Sequence, residues 1–370
     1  MAAADSFRVA HAGGETWQGA IDACLGRLAP PASANIGFVY ATDRFGGDFP
    51  AMVERLTART GIGTWIGSTG IGICATGREY FDEPGIALMA GRLPEASFRA
   101  FDMTAESLQA IAAGAPGEPG NRFGIVHCDP RNGRLFEQIP QLAQAIDGFL
   151  VGGLVSSRGE HGQAAGRATE GGLSGLLLSG EVAVATALSQ GCTPIGPTHT
   201  ITKADGNVAI EIDDRPALDV FKQDIGEILA RDLRRVAGYI FAALPVAGDD
   251  RGDYMVRNLM GLDPRRGLIA VGDRLSAGQR ILFCRRDRQS AIDDLKRMTG
   301  ELKRRVNAPP RAALYFTCLA RGPNMFGPDS AEVALIEREF GPLPMVGFFC
   351  NGEISNARLY TYTGVLTLVL

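Results

Sequence analysis

The sequence lacks the features that mark secreted, membrane-spanning and nucleic-acid-binding chains. Its 370 residues contain no CxxC pair, and its seven cysteines are an odd number spread along the chain, which is typical of a reduced, cytoplasmic protein. No apolar stretch is long enough to cross a bilayer, and the first residues show no basic segment followed by an apolar run, so no secretory signal is expected. A net charge of −4 gives no electrostatic reason to expect nucleic acid or an anionic membrane as partner.

Histidine is also scarce, with four residues at positions 11, 127, 161 and 199. Their spacing matches no metal-ligand motif, so the sequence predicts no metal site. His127, inside the strand-like segment GIVHCDP, is typical of a histidine that packs in a core or turn, whereas His199 in GPTHTITK is better placed for a surface or site residue.

What the chain does contain is a strand, helix, strand, strand pattern that recurs three times. The recurrence predicts a mixed α/β fold, in which repeated units form mixed sheets flanked by helices. The three units cover 35–93 (strand 35–43, helix 50–59, strands 64–72 and 85–93), 123–180 (123–130, 136–146, 148–157 and 173–180) and 312–370 (312–322, 329–340, 344–354 and 359–370).

A Gly- and Pro-dense segment, residues 190–223, separates the second unit from the third. It predicts a hairpin that turns at Asp205 and Gly206 and a helix that begins at Pro216. We therefore expect two related domains. Their predicted extents are an N-terminal segment over 1–33, a first domain over 34–216 and a second over 217–370.

Two local predictions accompany this pattern. Pro140 should lie in the first turn of its helix or bend it. The helix over 329–340 should begin with a capping box of Asp329 and Glu332 and end at Gly341.

Three strand ends carry glycines in similar positions: IGSTGIG from Ile66, VGGLVSS from Val151 and VGFFCNGEI from Val346. Glycine after a strand permits tight turns and lets a ligand approach backbone N–H groups. The same glycines can also serve local geometry alone, and the sequence leaves both interpretations open. GSTG is neither a P-loop nor a nucleophile elbow.

Cys318 and Cys350 end neighbouring predicted strands, so we expect them to lie close together. Buried cysteines more often pack than react, although a thiol nucleophile with Glu353 or a histidine as base is an alternative. Arg321 and Glu353 either form an ion pair across these strand ends or contact the charged groups of a polar ligand.

These segments resemble a known family. ALYFTCLARGPNMFG, GPLPMVGFFCNGEIS, YTYTGVLTL and the stretch from YMVRNLMG to ILFCRRD look like the C-terminal FIST domain, while GFVYATDRF, GTWIGSTGIGI, FLVGGLVSS and the stretch from QGCTPIG to ALDVF resemble the N-terminal one. The resemblance spans nearly the whole chain in the family's order. It implies a sensory or signal-transduction protein that binds a small ligand such as an amino acid, and no enzyme.

The resemblance also implies rivals and carries two departures. Some family members bind haem and report nitric oxide to histidine kinases, which would make His127, His161 or His199 an axial ligand. Others pair with an F-box, whose pattern is absent before residue 34. The family's GCSTAGEI has Ile73 here in place of its acid, and its HGYTAVL has Tyr360 in place of its histidine.

The sequence therefore predicts a cytoplasmic protein that binds a small polar ligand and signals to a protein partner such as a histidine kinase. The alternatives are a haem-based sensor, a ligand-free interaction scaffold and a thiol enzyme. The predicted ligand contacts are Gly67, Ser68, Thr69, Gly72, Gly152, Gly153, Thr193, Pro194, Arg321, Cys350, Asn351, Gly352 and Glu353.

Overall fold

The computed structural model describes residues 7–246 and 253–370. The chain forms two compact units, one of residues 1–189 with 295–370 and one of residues 190–294. The predicted boundary near residue 216 lies inside the second unit, and the division into domains over 34–216 and 217–370 stays a prediction. Residues 7–33, predicted as a separate segment, supply the first strand and helix of the first unit, while residues 1–6 lie outside the described part.

The first unit contains three repeats. The first repeat comprises β1 (Arg8–Gly13), α1 (Trp17–Leu28), β2 (Ile36–Thr42), α2 (Phe49–Thr60), β3 (Trp65–Gly70), β4 (Gly72–Ala75), β5 (Arg78–Phe81) and β6 (Gly85–Gly91). The second comprises β7 (Phe98–Asp102), α3 (Leu108–Ala113), β8 (Arg122–Cys128), α4 (Leu135–Ile146), β9 (Gly148–Leu154), β10 (Gln163–Ala165), β11 (Ala168–Thr169) and β12 (Leu173–Leu178). The third begins with β13 (Val184–Ser189).

The second unit interrupts the third repeat. Its elements are β14 (Thr193–Pro194), β15 (His199–Asp205), β16 (Val208–Ile212), β17 (Arg215–Pro216), α5 (Ala217–Ala230), β18 (Ile240–Pro245), β19 (Tyr254–Arg257), β20 (Leu259–Asp263), β21 (Leu268–Val271) and β22 (Arg280–Arg285). The predicted hairpin is confirmed, since β15 and β16 pair around Gly206, whose φ is 59°. Helix α5 begins after Pro216, which is its N-cap.

The third repeat resumes with α6, in which the division between the units falls. Its elements are α6 (Arg288–Arg305), β23 (Ala312–Cys318), α7 (Ala331–Phe340), β24 (Met345–Cys350), β25 (Glu353–Ser355), β26 (Arg358–Tyr360) and β27 (Gly364–Val369). The predicted recurrence of strand, helix, strand, strand is therefore confirmed, and so is the mixed α/β class. The pattern extends further than predicted, because each repeat also has a leading strand and helix and an extra hairpin.

Each repeat forms one mixed sheet. In every sheet two parallel strands, β2 with β3, β8 with β9 and β23 with β24, are joined by an α-helical crossover. The last strand of each repeat lies antiparallel between this pair and the leading strand, as β6 does between β2 and β1. One face of each sheet contributes to a shared core, which contains Phe38, Phe123, Leu314 and Phe348.

The sheets are completed by hairpins from other repeats. Hairpin β4–β5 of the first repeat pairs with β24 of the third, β25–β26 of the third pairs with β9 of the second, and β10–β11 of the second pairs with β3 of the first. The three repeats thus exchange hairpins in a closed ring. This ring brings the glycine-ended strands of all three repeats to one place.

The helices follow from local sequence, as α2 illustrates. Its Phe49, Met52, Val53 and Leu56 are buried at helical spacing, and Gly61, with φ of 73°, ends the helix. Pro140 lies inside α4, beyond the predicted first turn. No helix in the described part of the chain is both long and apolar enough to span a membrane.

The predicted capping box of α7 is wrong, whereas its end at Gly341 is confirmed. Asp329 and Ser330 both have positive φ, 64° and 57°, and the N-cap Ser330 makes no capping hydrogen bond with its side chain. The cap comes instead from the first repeat, because Val333 N–H donates to the Glu79 carboxylate at 3.0 Å.

Candidate functional site

The hairpin exchange aligns three positions around the centre of the first unit. Ile73 stands opposite Phe348, Gln163 opposite Ser68, and Glu353 opposite Gly153. Ile73, Gln163 and Glu353 are therefore equivalent positions in the three hairpins, and all are 0% exposed. The structure thus brings together most of the sequence-predicted site residues, but as a buried junction between sheets.

The aligned glycines have a structural reason. A Cβ on Gly67 would overlap the carbonyl oxygen of Val39, and a Cβ on Gly347 would overlap that of Tyr315. Gly152, in the second repeat, is in the same situation against Val126. Close approach of parallel strands therefore requires glycine at these positions, without any ligand.

Glu353 is held inside this junction by Thr363. The Glu353 Oε2 accepts hydrogen bonds from Thr363 N (3.1 Å) and Thr363 Oγ1 (2.8 Å), while Oε1 has no partner among the described residues. Burial raises the pKa of Glu353 to about 8, against the opposing effect of the Thr363 hydrogen bonds and the Arg321 charge. The carboxyl is thus largely neutral at physiological pH.

This raised pKa predicts a pH dependence. Between the unfolded value of 4.5 and the folded value of about 8, the folded protein binds more protons than the unfolded chain. Stability from Glu353 is therefore fully present below pH 4.5 and is lost as the pH rises through about 8, with a slope of at most about 1.4 kcal/mol per pH unit. Glu353→Gln should flatten this slope in urea denaturation, whereas Glu118→Gln, at an exposed acid, should not. An unchanged slope in Glu353→Gln would contradict the assignment.

Arg321 has a partner that the sequence did not suggest. Its Nε lies 2.7 Å from Oε1 of Glu332, and both side chains are 1% exposed. The same carboxylate accepts from Tyr315 Oη (2.6 Å), Thr317 Oγ1 (3.0 Å) and Gly322 N (2.8 Å). Arg321 is thus paired inside the core with Glu332, and its charge also acts on Glu353. Its contact with a ligand stays a prediction.

Cys350 and Cys318 are register partners on β24 and β23, as expected. Cys350 is 0% exposed, and burial, followed by the negative charge of Glu353, raises the pKa of its thiol well above the usual value. A thiolate nucleophile is therefore disfavoured at Cys350. All seven cysteines are buried.

Two of the three histidines considered for haem are engaged by other groups. His127 is 0% exposed, its Nε2 lies 3.0 Å from the Tyr40 hydroxyl, and burial lowers its pKa to about 3. His199 lies between Asp213 (2.6 Å) and Asp224 (2.9 Å). Both ring nitrogens of His199 are therefore engaged by carboxylates, whereas Nδ1 of the buried His127 has no partner among the described residues. His161 is half-buried in the loop before β10. Within 7–246 and 253–370, no group of three His, Cys, Asp or Glu side chains is arranged for a metal ion.

The remaining predicted residues divide between the two units. Asn351 and Gly352 form backbone hydrogen bonds with Leu154, at 3.0 and 2.8 Å. Thr193 and Pro194 belong to the second unit, where they pair with Arg285 and Cys284. Gly72 begins β4 and is buried.

A surface cleft of about 1000 Å³ opens beside this junction. One wall is α2 with the turn that precedes it, and the other is the loop before β10 with hairpin β10–β11. The lining residues are Gly46, Gly47, Phe49, Pro50, Val53, Glu54, Thr57, Ala58, Glu160, Gly162, Gln163, Gly166, Arg167, Ala168, Thr169 and Glu170. The volume lies at the upper end of the range of small-molecule sites, about 300–1000 Å³.

The cleft combines an apolar wall with polar groups of both signs. Pro50 and Ala58, both exposed, supply apolar surface. Thr57 and Thr169 supply hydroxyls, and Arg167 supplies a guanidinium. Three acids, at positions 54, 160 and 170, supply carboxylates. This set can hold a zwitterion, whose carboxylate pairs with the guanidinium and whose ammonium pairs with a carboxylate.

The cleft reaches the central junction through Gly162 and Gln163. Thr69, at the end of β3, accepts a hydrogen bond from Gly162 N–H at its Oγ1 (3.1 Å). Gln163 donates from Nε2 to the His127 carbonyl (2.6 Å), and its Oε1 has no partner among the described residues. Of the predicted contacts, Ser68 and Thr69 therefore lie next to the cleft, as its immediate support.

Sequence reasoning missed the cleft itself. Glu54 and Arg167 look like ordinary surface charges of a helix and a loop, and hairpin β10–β11 is a short Gly- and Ala-rich stretch that predicts no strand. The only signal was Gln163, an amide inside the otherwise apolar run GQAAG.

Comparisons with known proteins agree with this architecture. The family model for the FIST N domain matches residues 35–215, and that for the FIST C domain matches residues 217–356. An uncharacterized protein of Mycobacterium tuberculosis strain H37Rv is 31% identical over 302 residues, which is 78% of each chain. An uncharacterized protein of Mycobacterium bovis is 34% identical over 188 residues, or 50% of this chain and 48% of that one.

Proposed function

Because the chain belongs to the FIST family, whose domains are sensory and signal-transduction domains, we propose that it binds an amino-acid-like metabolite in the cleft and relays occupancy to a protein partner. The cleft carries the proposal: it offers one guanidinium, several carboxylates, hydroxyls and an apolar wall in a single concave surface. Such convergence of polar groups in a concave, partly apolar site is the usual mark of a ligand site.

The position of the cleft suggests how occupancy is relayed. One wall belongs to the first repeat and the other to the hairpin that the second repeat contributes to the first sheet. A ligand touching both walls favours the conformations in which the hairpin is docked, and a ligand acts on an equilibrium only through such differential binding. A cytoplasmic protein partner, such as a histidine kinase, would bind the conformation in which the hairpin is docked.

A thermal-shift screen of the twenty amino acids tests this proposal. A ligand present at 100 times its Kd should stabilise the protein by about 2.7 kcal/mol, seen as a rise in Tm. Arg167→Ala should reduce the rise at the same ligand concentration, because the variant removes the pairing group for the ligand carboxylate.

Arg134→Ala is a matched control for Arg167→Ala. Arg134 is 68% exposed and lies 3.8 Å from Glu137, while Arg167 is 69% exposed and lies 3.8 Å from Asp102. Arg134 does not line the cleft, so its loss should leave the ligand response intact. If no amino acid raises Tm, or if both variants respond equally, the proposed function is wrong.

A further inference from the structure

The lining of the cleft carries more negative than positive side chains. Three carboxylates, of Glu54, Glu160 and Glu170, face one guanidinium, that of Arg167. Arg131 lies 3.7 Å from Glu170, and Asp102 lies 3.8 Å from Arg167. Glu54 and Glu160 form no ion pair within 4.0 Å among the described residues, and in this sense their carboxylates are free. Glu160 still interacts at longer range with the Arg131 guanidinium.

The two free carboxylates come from opposite walls. Glu54 lies on α2, in the same helical row as Pro50 and Thr57, whereas Glu160 lies in the loop before β10. A molecule that lies along the cleft therefore passes between two negative charges. A neutral amino acid can use one of them with its ammonium and leaves the other without a partner.

A buried hydrogen-bond acceptor in the cleft lining also favours a ligand that carries N–H donors. Gln163 is 0% exposed, and its Nε2 is committed to the carbonyls of His127 (2.6 Å) and Gly172 (3.2 Å). Its Oε1 is left without a partner among the described residues, and a buried acceptor without a donor costs about 1–3 kcal/mol. Water could also donate a hydrogen bond to this atom. The acceptor therefore does not distinguish one donor-bearing ligand from another, whereas the charges of the lining do.

We propose that the ligand of this cleft is a basic amino acid, with Glu54 and Glu160 as its specificity-determining residues. This inference rests on the proposed function, because it assumes that the cleft is the sensory site. The α-carboxylate pairs with Arg167. The α-ammonium and the side-chain cation pair with the two carboxylates, and an N–H of the ligand donates to the buried amide oxygen.

Calorimetric titration of the full chain with four free amino acids tests the charge requirement. L-arginine and L-lysine carry the second positive charge, while L-citrulline and L-norleucine keep similar shapes without it. Citrulline lacks one of the ion pairs that arginine forms, and an exposed ion pair contributes up to about 1 kcal/mol. Arginine should therefore bind about two- to fivefold more tightly than citrulline, and the difference should shrink as salt rises.

Glu54→Gln and Glu160→Gln locate the effect. Each should weaken arginine binding about two- to fivefold, in line with an exposed pair. The variant that removes the partner of the side-chain cation should leave citrulline binding nearly unchanged, whereas the variant that removes the partner of the α-ammonium should weaken citrulline as much as arginine. Glu118→Gln, at an exposed acid outside the cleft lining, should change neither.

The outcomes separate this inference from the proposed function. Equal binding of arginine and citrulline would overturn the charge requirement and leave an amino-acid sensor in place. A preference for arginine that survives in both variants would place the cation elsewhere and overturn the roles of Glu54 and Glu160. If none of the four binds, and the screen of all twenty also finds no ligand, both proposals are wrong.

Discussion

Replacing Glu332 by alanine is expected to lower the free energy of unfolding by about 3–5 kcal/mol, as does removal of one partner of a buried ion pair elsewhere. Arg321 and Glu332 are each 1% exposed, with 2.7 Å between Nε and Oε1. Without the carboxylate, the guanidinium keeps a buried positive charge, and Tyr315 and Thr317 lose their acceptor. Urea denaturation followed by circular dichroism measures the loss.

An exposed pair supplies the control for this prediction. Arg297 and Glu301 lie 2.9 Å apart on α6 with side chains 53% and 47% exposed, and such helical pairs contribute about 0.3–0.5 kcal/mol. Glu301→Ala should therefore cost far less than Glu332→Ala. The double variant Arg321→Met with Glu332→Leu removes both charges and should recover much of the loss. Equal losses in the two single variants would refute a stabilising role for the buried pair.

Gly347→Ala is expected to prevent the third repeat from forming its native sheet. The added Cβ would overlap the carbonyl oxygen of Tyr315 on the parallel neighbour. Because β24 is paired on both sides, with β23 and with β4, the backbone cannot move away without breaking one of these pairings. The cost should exceed about 4 kcal/mol, the range of exceptional single substitutions. It would appear as a loss of soluble protein and a lower urea midpoint.

Gly300→Ala shows what the same added methyl does where there is room. Gly300 lies inside α6, and apart from the backbone of that helix and the two neighbouring residues no atom lies within 4 Å of the Cβ position. Alanine should stabilise the helix there by up to about 1 kcal/mol, because glycine is a poor helix former. If Gly347→Ala were as stable as Gly300→Ala, close strand approach would not be the reason for glycine at position 347.

The sequence predicted the repeats because their signals are local. Apolar periodicity located the crossover helices and parallel strands, and the aligned glycines marked equivalent points in β3, β9 and β24. Turn chemistry at Gly206 and Gly341 was also sufficient, since a positive φ at one residue decides it. In each case the physical cause lies within a few residues of the feature.

The site was less predictable because the residues that contact one another there are distant in sequence. Glu332 looked like a capping residue of its own helix, but it pairs with Arg321, and the cap comes from Glu79 in another repeat. The cleft depends on hairpin β10–β11 leaving its own repeat to pair with β3. No periodicity along the chain reports which repeat a hairpin joins.

The exchange of hairpins has a consequence for synthesis. Ala75 in β4 pairs with Val346 in β24, which lies about 270 residues later in the chain. Strand β4 of the first repeat therefore has no β24 to pair with until the third repeat has been translated. A nascent chain holds an unpaired strand for most of its synthesis, and closing so long a loop is entropically costly. The three repeats are therefore parts of one cooperative structure. The exchange of hairpins among them is completed only after the third repeat has been synthesised.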